Sequence, residues 1–147
     1  MKIGILITDA VREELISEHG DYPDMFEDLM GGVDRSIEFT RFYVQSKIPQ
    51  SVDCDGYLIT GSRHSVYDEL PWIESLVNFI KEVLASRRKI IGVCFGHQLM
   101  AHYFGGHVEK SAKGWAVGVH KSNIVARQSW MDMADSRQDV SLLSSHQ

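Results

Sequence analysis

The most constraining feature of this 147-residue chain is a cysteine flanked by two glycines, in the run Gly92-Val93-Cys94-Phe95-Gly96. The run follows the apolar pair Ile90-Ile91 and opens a segment with helical character, so Cys94 is expected where a buried strand turns sharply into a helix. A turn this tight crowds the backbone and leaves no room for side chains two residues before and two residues after its apex. The chain is therefore expected to contain a strand, a nucleophile elbow and a helix in direct succession.

The position of Cys94 predicts its chemistry. A sulfur at the start of a helix faces unpaired backbone N–H groups and the positive end of the helix dipole, which favour thiolate over thiol. The alternative is a small buried cysteine that only ends a core strand. Both glycines and the strand-to-helix context favour the nucleophile. The second cysteine, Cys54, precedes a core strand and is expected to be the less reactive thiol.

Strand-like and helix-like patterns alternate along the chain. Apolar runs predict parallel strands at residues 2–8, 56–60 and 89–93, and alternation predicts an outer strand at 37–44 with Ile37, Phe39 and Tyr43 turned inward. A helix is expected from Pro71, with apolar residues at i, i+3, i+4 and i+7. The pattern predicts an α/β fold with an open, mostly parallel, doubly wound (flavodoxin-like) sheet.

Two further expectations follow from this sheet. Residues 114–127 have a strand-like pattern and are expected to add an antiparallel strand. Ligands in doubly wound sheets bind at the carboxyl ends of the strands. Both Gly61 and Cys94 follow directly after predicted strands, so the site is expected there.

Composition excludes several classes of function. A formal charge of -5 argues against nucleic-acid binding, which needs clustered Lys and Arg. The apolar run from Ile3 to Ile7 is too short for a signal peptide or a membrane span. Two cysteines are too few for a secreted disulfide scaffold, so a cytoplasmic location is expected. His97 and His102 lie five apart, on different helix faces, and no metal site is expected.

Several stretches together resemble the class I glutamine amidotransferases. The family carries Gly-x-Cys-x-Gly-x-Gln and then a short helix ending in Gly-Gly, which here spans residues 92–106. Residues 55–62 (Asp-Gly-Tyr-Leu-Ile-Thr-Gly-Ser), 70–73 (Leu-Pro-Trp-Ile) and 113–118 (Lys-Gly-Trp-Ala-Val-Gly) also agree with it. The resemblance runs nearly the whole length. It is strongest to stand-alone members with Thr-Gly-Ser and Lys-Gly-Trp, some of which act on γ-glutamyl compounds.

The resemblance implies a catalytic centre around Cys94. Attack on a carboxamide needs a nucleophile, a base and donors to the developing oxyanion. Cys94 is the expected nucleophile, and the backbone N–H of Phe95 is the expected first donor. Gly61 is the candidate for the second donor, because a backbone N–H approaches closely only where no side chain intervenes. The alternative is an ordinary strand-ending glycine, since Gly61-Ser62-Arg63 departs from the Gly-Gly-Pro often found in the family.

The resemblance also implies a substrate-binding set. Gln98 lies one helical turn after Cys94 and would hydrogen-bond the substrate; the alternative is a surface glutamine. Ser145 and His146 resemble the family's Ser-His segment, which helps to hold the substrate glutamine and precedes the catalytic His. The family base is a His in a His-Pro-Glu segment, and these 147 residues contain none. His146 as the base is the alternative that its context disfavours.

These observations leave three functions open. The first is a glutamine amidotransferase or γ-glutamyl hydrolase that acts on a small molecule through a Cys94 thioester, without a cofactor, with or without a synthase that accepts the ammonia. The second is a flavodoxin-like cysteine peptidase or chaperone-like protein, but those usually place His where Phe95 stands. The third is a catalytically incomplete remnant or regulatory module.

The absence of His-Pro-Glu bears on domain organisation. Residues 1–147 are expected to be the N-terminal two thirds of one glutamine amidotransferase type 1 domain, inactive by themselves. Part of the sheet is then expected to be uncovered, which favours self-association.

Overall fold

The chain folds as two compact units, Met1–Val108 and Glu109–Gln147. The computed structural model describes residues 1–131 and 136–146. The first unit contains β1 (Lys2–Ile7), α1 (Glu13–His19), α2 (Tyr22–Gly31), β2 (Glu38–Tyr43), β3 (Gly56–Ile59), α3 (Pro71–Ala85), β4 (Lys89–Gly92) and α4 (Phe95–Tyr103). The second contains β5 (Ala116–Asn123) and β6 (Asp139–His146). That residues 1–147 form a single domain stays a prediction.

The first unit is built on a four-stranded sheet in the order β2-β1-β3-β4. Every pairing in it is parallel, with Ile3 opposite Phe39 and Gly56, and Ile59 opposite Gly92. The carboxyl ends of β1, β3 and β4 therefore meet at one edge, as predicted from their runs of apolar residues. The predicted α/β fold with a parallel central sheet is confirmed.

Both faces of the sheet are covered, because successive residues of β1 point to opposite sides. Leu6 joins a large cluster with the apolar face of α3 and with Phe95 and Leu99 of α4. Ile5 and Ile7 join a smaller cluster with Leu58, against which Phe26, Met30 and Phe39 pack. Full burial of one such side chain contributes about 1.5–3 kcal/mol. Helices on both faces make the sheet doubly wound.

Two predictions of burial were wrong. The strand before Cys94 was expected to be buried, but β4 is the edge strand of its sheet, and Ile91 remains 57% exposed. Tyr43 was expected to point inward and is 53% exposed, on the opposite edge strand, β2. An edge strand has a neighbour on one side only, so the sequence pattern of a core strand does not ensure its burial.

The second unit is a two-stranded antiparallel sheet. Its register runs from Ala116 opposite His146 to Asn123 opposite Asp139. The strand predicted within residues 114–127 is confirmed, but its predicted addition to the main sheet was wrong, because β5 pairs antiparallel with β6 instead. The partner strand β6 was not predicted, and the pair forms a sheet of its own.

Among residues 1–131 and 136–146, the structure has no helix that combines the length and the apolar composition needed to cross a membrane.

Candidate functional site

Cys94 occupies the turn between β4 and α4. It is the N-cap residue of α4, with φ 53° and ψ -107°. A positive φ is a conformation that non-glycine residues rarely adopt. The Val93 N–H donates to the Ile59 carbonyl at 3.0 Å, and the Gly96 N–H donates to the Val93 and Thr60 carbonyls at 3.0 and 3.3 Å. These bonds tie the turn to β3 and leave the Cys94 side chain exposed.

The two flanking glycines are required by backbone contacts across the turn. A Cβ at Gly92 would lie 2.3 Å from the carbonyl carbon of Gly96 and 2.6 Å from the His97 nitrogen. A Cβ at Gly96 would lie 2.7 Å from both the Cβ and the carbonyl oxygen of Ile59. Real Cβ atoms do not approach other atoms this closely. The structure thus gives the physical reason for the glycine spacing on which the elbow was predicted.

Gly61 lies directly beside the cysteine. A Cβ built at Gly61 would be 3.4 Å from the Cys94 Cβ and 3.7 Å from its Sγ. In the part of the chain that is described, neither the Gly61 N–H nor the Phe95 N–H donates to a backbone carbonyl outside the regular elements. The structure therefore brings together Cys94, Phe95 and Gly61, although their roles stay predictions.

A pair of buried threonines holds the Gly61 backbone in place. This pair was not identified from the sequence. Thr8 and Thr60 follow β1 and β3 and are both fully buried. The Thr8 N–H donates to the Thr60 Oγ1 at 3.0 Å, and the Thr8 hydroxyl lies 2.8 Å from the Gly61 carbonyl oxygen. The only sequence signal was a threonine at the end of each of two apolar runs. Buried hydroxyls need partners, so this network fixes the backbone next to Cys94.

A charged pair, Asp9 and Arg63, borders the same edge and was also missed. The backbone N–H and the Nε of Arg63 both donate to Asp9 Oδ2 at 2.8 Å. Burial acts to raise the pKa of the Asp9 carboxyl, but the hydrogen bonds from Arg63 and Ala10 outweigh it and hold that pKa below its ordinary value. Burial raises the pKa of the Tyr22 phenol, and the nearby Asp9 and Cys94 charges raise it further.

The remaining predicted site residues divide between the two units. Gln98 is half-buried on the first turn of α4, and its N–H donates to the Cys94 carbonyl at 3.0 Å. Ser145 and His146 lie on β6 in the second unit, opposite Val117 and Ala116. Within residues 1–131 and 136–146 there is no group of three or more His, Cys, Asp or Glu side chains that could hold a metal ion.

Comparison with known proteins gives one consistent result. The family model described as glutamine amidotransferase class-I matches residues 29–146. The chain is 37% identical over 129 residues to a glutamine amidotransferase-like protein of Schizosaccharomyces pombe, covering 78% of the chain and 52% of that relative. It is 34% identical over 100 residues to gamma-glutamyl peptidase 4 of Arabidopsis thaliana, covering 65% of the chain and 39% of that relative.

A solved structure agrees at the level of the fold. A glutamine amidotransferase from Thermotoga maritima superposes with a TM-score of 0.75 at 18% identity, over 98% of this chain and 60% of that one. The chain thus spans about half the length of the curated relatives that it matches.

Proposed function

Because the chain belongs to the class I glutamine amidotransferase family, we propose that the full-length product of its gene hydrolyses the side-chain amide of glutamine or of a γ-glutamyl compound at Cys94. The observation that supports this proposal best is an exposed cysteine at a strained elbow beside Gly61, where an added Cβ would lie 3.7 Å from the cysteine sulfur. Relatives named gamma-glutamyl peptidase favour the hydrolytic form of the reaction.

The proposed reaction has two steps. The Cys94 sulfur attacks the amide carbon and forms a C–S bond, while the N–H groups of Phe95 and Gly61 donate to the oxyanion. The C–N bond breaks, and ammonia or an amine leaves with the proton of the thiol. Water then attacks the thioester, which releases glutamate and returns a proton to sulfur. We propose that Gln98 holds the glutamyl group, and the family resemblance implies the same role for Ser145 and His146.

The fate of the ammonia depends on the substrate. If the substrate is glutamine, the proposal includes a synthase partner that consumes the ammonia. If it is a γ-glutamyl compound, hydrolysis needs no partner.

The test is single-site replacement in the full-length protein. Cys94→Ser is expected to remove nearly all amide hydrolysis with the fold unchanged, because an alkoxide is much harder to generate than a thiolate. Cys54→Ala is the matched control, since Cys54 is buried at 1% exposure and takes no part in the reaction. Mass spectrometry of the parent protein should detect a glutamyl adduct on Cys94. Hydrolysis by Cys94→Ser within a few-fold of the parent would place the chemistry elsewhere.

A second prediction concerns the 147 residues alone, which contain no His-Pro-Glu. A cysteine without its base cannot readily protonate the departing amine, so we expect this chain to show no glutaminase turnover even though its thiol can be alkylated. The measurement is glutamate release by chain purified free of the full-length form. Turnover abolished by Cys94→Ser would show that His146 or another histidine serves as the base.

A further inference from the structure

Arg63 is held in place on the rim of the Cys94 site. It lies two residues after Gly61, so its Cα is within about 7 Å of the Gly61 Cα. Its backbone N–H and its Nε both bind Asp9 Oδ2 at 2.8 Å. Asp9 follows β1, whereas Cys94 follows β4 on the opposite side of β3. This double contact therefore turns the Arg63 side chain along the carboxyl edge of the sheet, toward β1 and away from Cys94.

The terminal nitrogens of Arg63 remain accessible. The Arg63 side chain is 66% exposed, whereas the Asp9 side chain is 11% exposed. Nη2 lies 3.5 Å from the Ala10 carbonyl oxygen, at the limit of a hydrogen bond. In the described residues Nη1 has no hydrogen-bond acceptor. A guanidinium presents five N–H donors in a rigid fork that fits a carboxylate. Nη1 is thus free to donate to an anion, and Nη2 is held only by its long contact with Ala10.

The Asp9 charge does not cancel this attraction. Its Oδ1 accepts from the Ala10 N–H at 2.9 Å, and its Oδ2 accepts both donors of Arg63. The Asp9 carboxylate is largely covered, so the Arg63 guanidinium is the more accessible charge for an incoming ligand. Asp9 acts as an anchor that fixes the guanidinium.

From these contacts we propose that Arg63 is a specificity-determining residue that binds a carboxylate on the leaving group of the substrate. The proposal rests on the function proposed above and narrows its substrate to γ-glutamyl compounds whose amine carries an acidic end, such as γ-glutamyl peptides. Glutamine, which releases ammonia, makes no use of this residue.

The spacing along the sheet fits such a substrate. Cys94, Gly61 and Asp9 follow β4, β3 and β1, which are consecutive neighbours in the sheet. Adjacent strands lie about 4.8 Å apart, so Asp9 lies about 10 Å from Cys94 along the edge. A leaving group of one or two amino acids spans up to about 7 Å, and a hydrogen bond of about 3 Å from its carboxylate to the guanidinium covers the remainder. Gln98 lies on α4, the helix that begins directly after Cys94, and the proposed function places the glutamyl group there.

The first test uses the 147-residue chain and needs no catalysis. Cys94 is alkylated with anionic iodoacetate and with neutral iodoacetamide, and the ratio of the two rate constants is measured. A cation about 10 Å from the sulfur changes this ratio about two- to fivefold, so Arg63→Gln should lower it by that factor and Arg63→Lys should restore most of it. Circular dichroism and thermal unfolding check that each variant is folded.

Arg88→Gln is the matched control for this test. Arg88 also pairs with an aspartate, Asp55 at 3.4 Å, but it precedes β4, at the amino end of the sheet. Its replacement should leave the ratio unchanged. An equal ratio in folded Arg63→Gln and in the parent would overturn the proposal.

The second test uses the full-length protein and compares kcat/KM for a γ-glutamyl dipeptide, its C-terminal amide and glutamine. Arg63→Gln should lower kcat/KM for the free acid at least tenfold and change the other two little. If all three substrates are hydrolysed but the variant affects them equally, the subsite is wrong while the proposed function holds. If none is hydrolysed, the proposed function fails, and the alkylation ratio decides the anion-binding role of Arg63.

Discussion

The two cysteines differ in the properties that govern the reactivity of a thiol. Cys94 is exposed at the start of a helix, whereas Cys54 is 1% exposed, next to Tyr57, in the main core. Burial raises the pKa of the Cys54 thiol above its ordinary value, despite a hydrogen bond with Tyr57. Poor solvent access and a raised pKa therefore both lower the reactivity of the Cys54 thiol.

We expect iodoacetamide at neutral pH to modify Cys94 at least tenfold faster than Cys54, since the thiolate is the reactive species and only Cys94 is accessible. Peptide mapping of briefly labelled protein measures both rates. In urea the two rates should converge. Faster labelling of Cys54 in the native protein would contradict the elbow assignment.

At Gly61 the size of the side chain should decide the outcome. An added Cβ makes ordinary contacts of 3.4 and 3.7 Å with Cys94, so Gly61→Ala fits. The branched Gly61→Val must displace either the sulfur or its own backbone. We expect Gly61→Val to lower turnover of the full-length enzyme about a hundredfold or more, as loss of one oxyanion donor does, with Gly61→Ala much milder. Steady-state kinetics measures this, and normal turnover in a folded Gly61→Val would make Gly61 a purely structural glycine.

At the scale of elements, the junction between β4 and α4 allows a comparison of two glycines. A Cβ at Gly92 would meet the Gly96 carbonyl carbon at 2.3 Å, whereas a Cβ at Gly31, in the last turn of α2, meets nothing within 4 Å. Gly92→Ala should destabilise the first unit by about 1–3 kcal/mol or more through overpacking. Gly31→Ala should be neutral or stabilising by up to about 1 kcal/mol. Urea unfolding measures both, and equal stabilities would show that the elbow can relax.

The elements could be predicted to different degrees, for physical reasons. The elbow was predictable because its decisive contacts join residues within five positions, Gly92 to Gly96 and His97. The pair of Asp9 and Arg63 was not, because the two residues are 54 positions apart and meet only through the order of the strands. The same holds for Thr8, whose partner Thr60 lies 52 positions away. Local spacing predicted the nucleophile, whereas the groups around it depend on tertiary structure.

At the scale of the whole molecule, the sequence predicted the layers but not the exposure of their edges. Apolar runs are the same in a central strand and in an edge strand, so the exposure of Ile91 on β4 could not be predicted from its neighbours. The large apolar side chains of the second unit also could not be predicted to be exposed from their sequence pattern. Val119 is 72% exposed and Leu143 is 83% exposed. A strand pattern indicates which side chains point to the same face of a sheet, but their burial depends on what packs against that face.

Exposed apolar edge strands favour pairing between chains. We therefore expect the 147-residue chain to self-associate at tens of micromolar, measured by sedimentation velocity. Ile91→Lys places a charge on the edge strand β4 and should shift the distribution toward monomer. Val33→Lys is the control, since Val33 is 87% exposed but follows α2 outside the sheet. A parent chain that is monomeric throughout this range would contradict the expectation.

The backbone of Cys94 also links reactivity to the integrity of the sheet. Its φ of 53° costs about 1–3 kcal/mol, and the bonds from Val93 and Gly96 to β3 hold it there. If β3 and β4 separate, Cys94 relaxes to an ordinary conformation and its sulfur leaves the neighbourhood of Gly61. Such a chain has the thiol without the geometry that the proposed attack on a carbonyl requires. The proposed reactivity of the sulfur should therefore depend on correct assembly of the sheet.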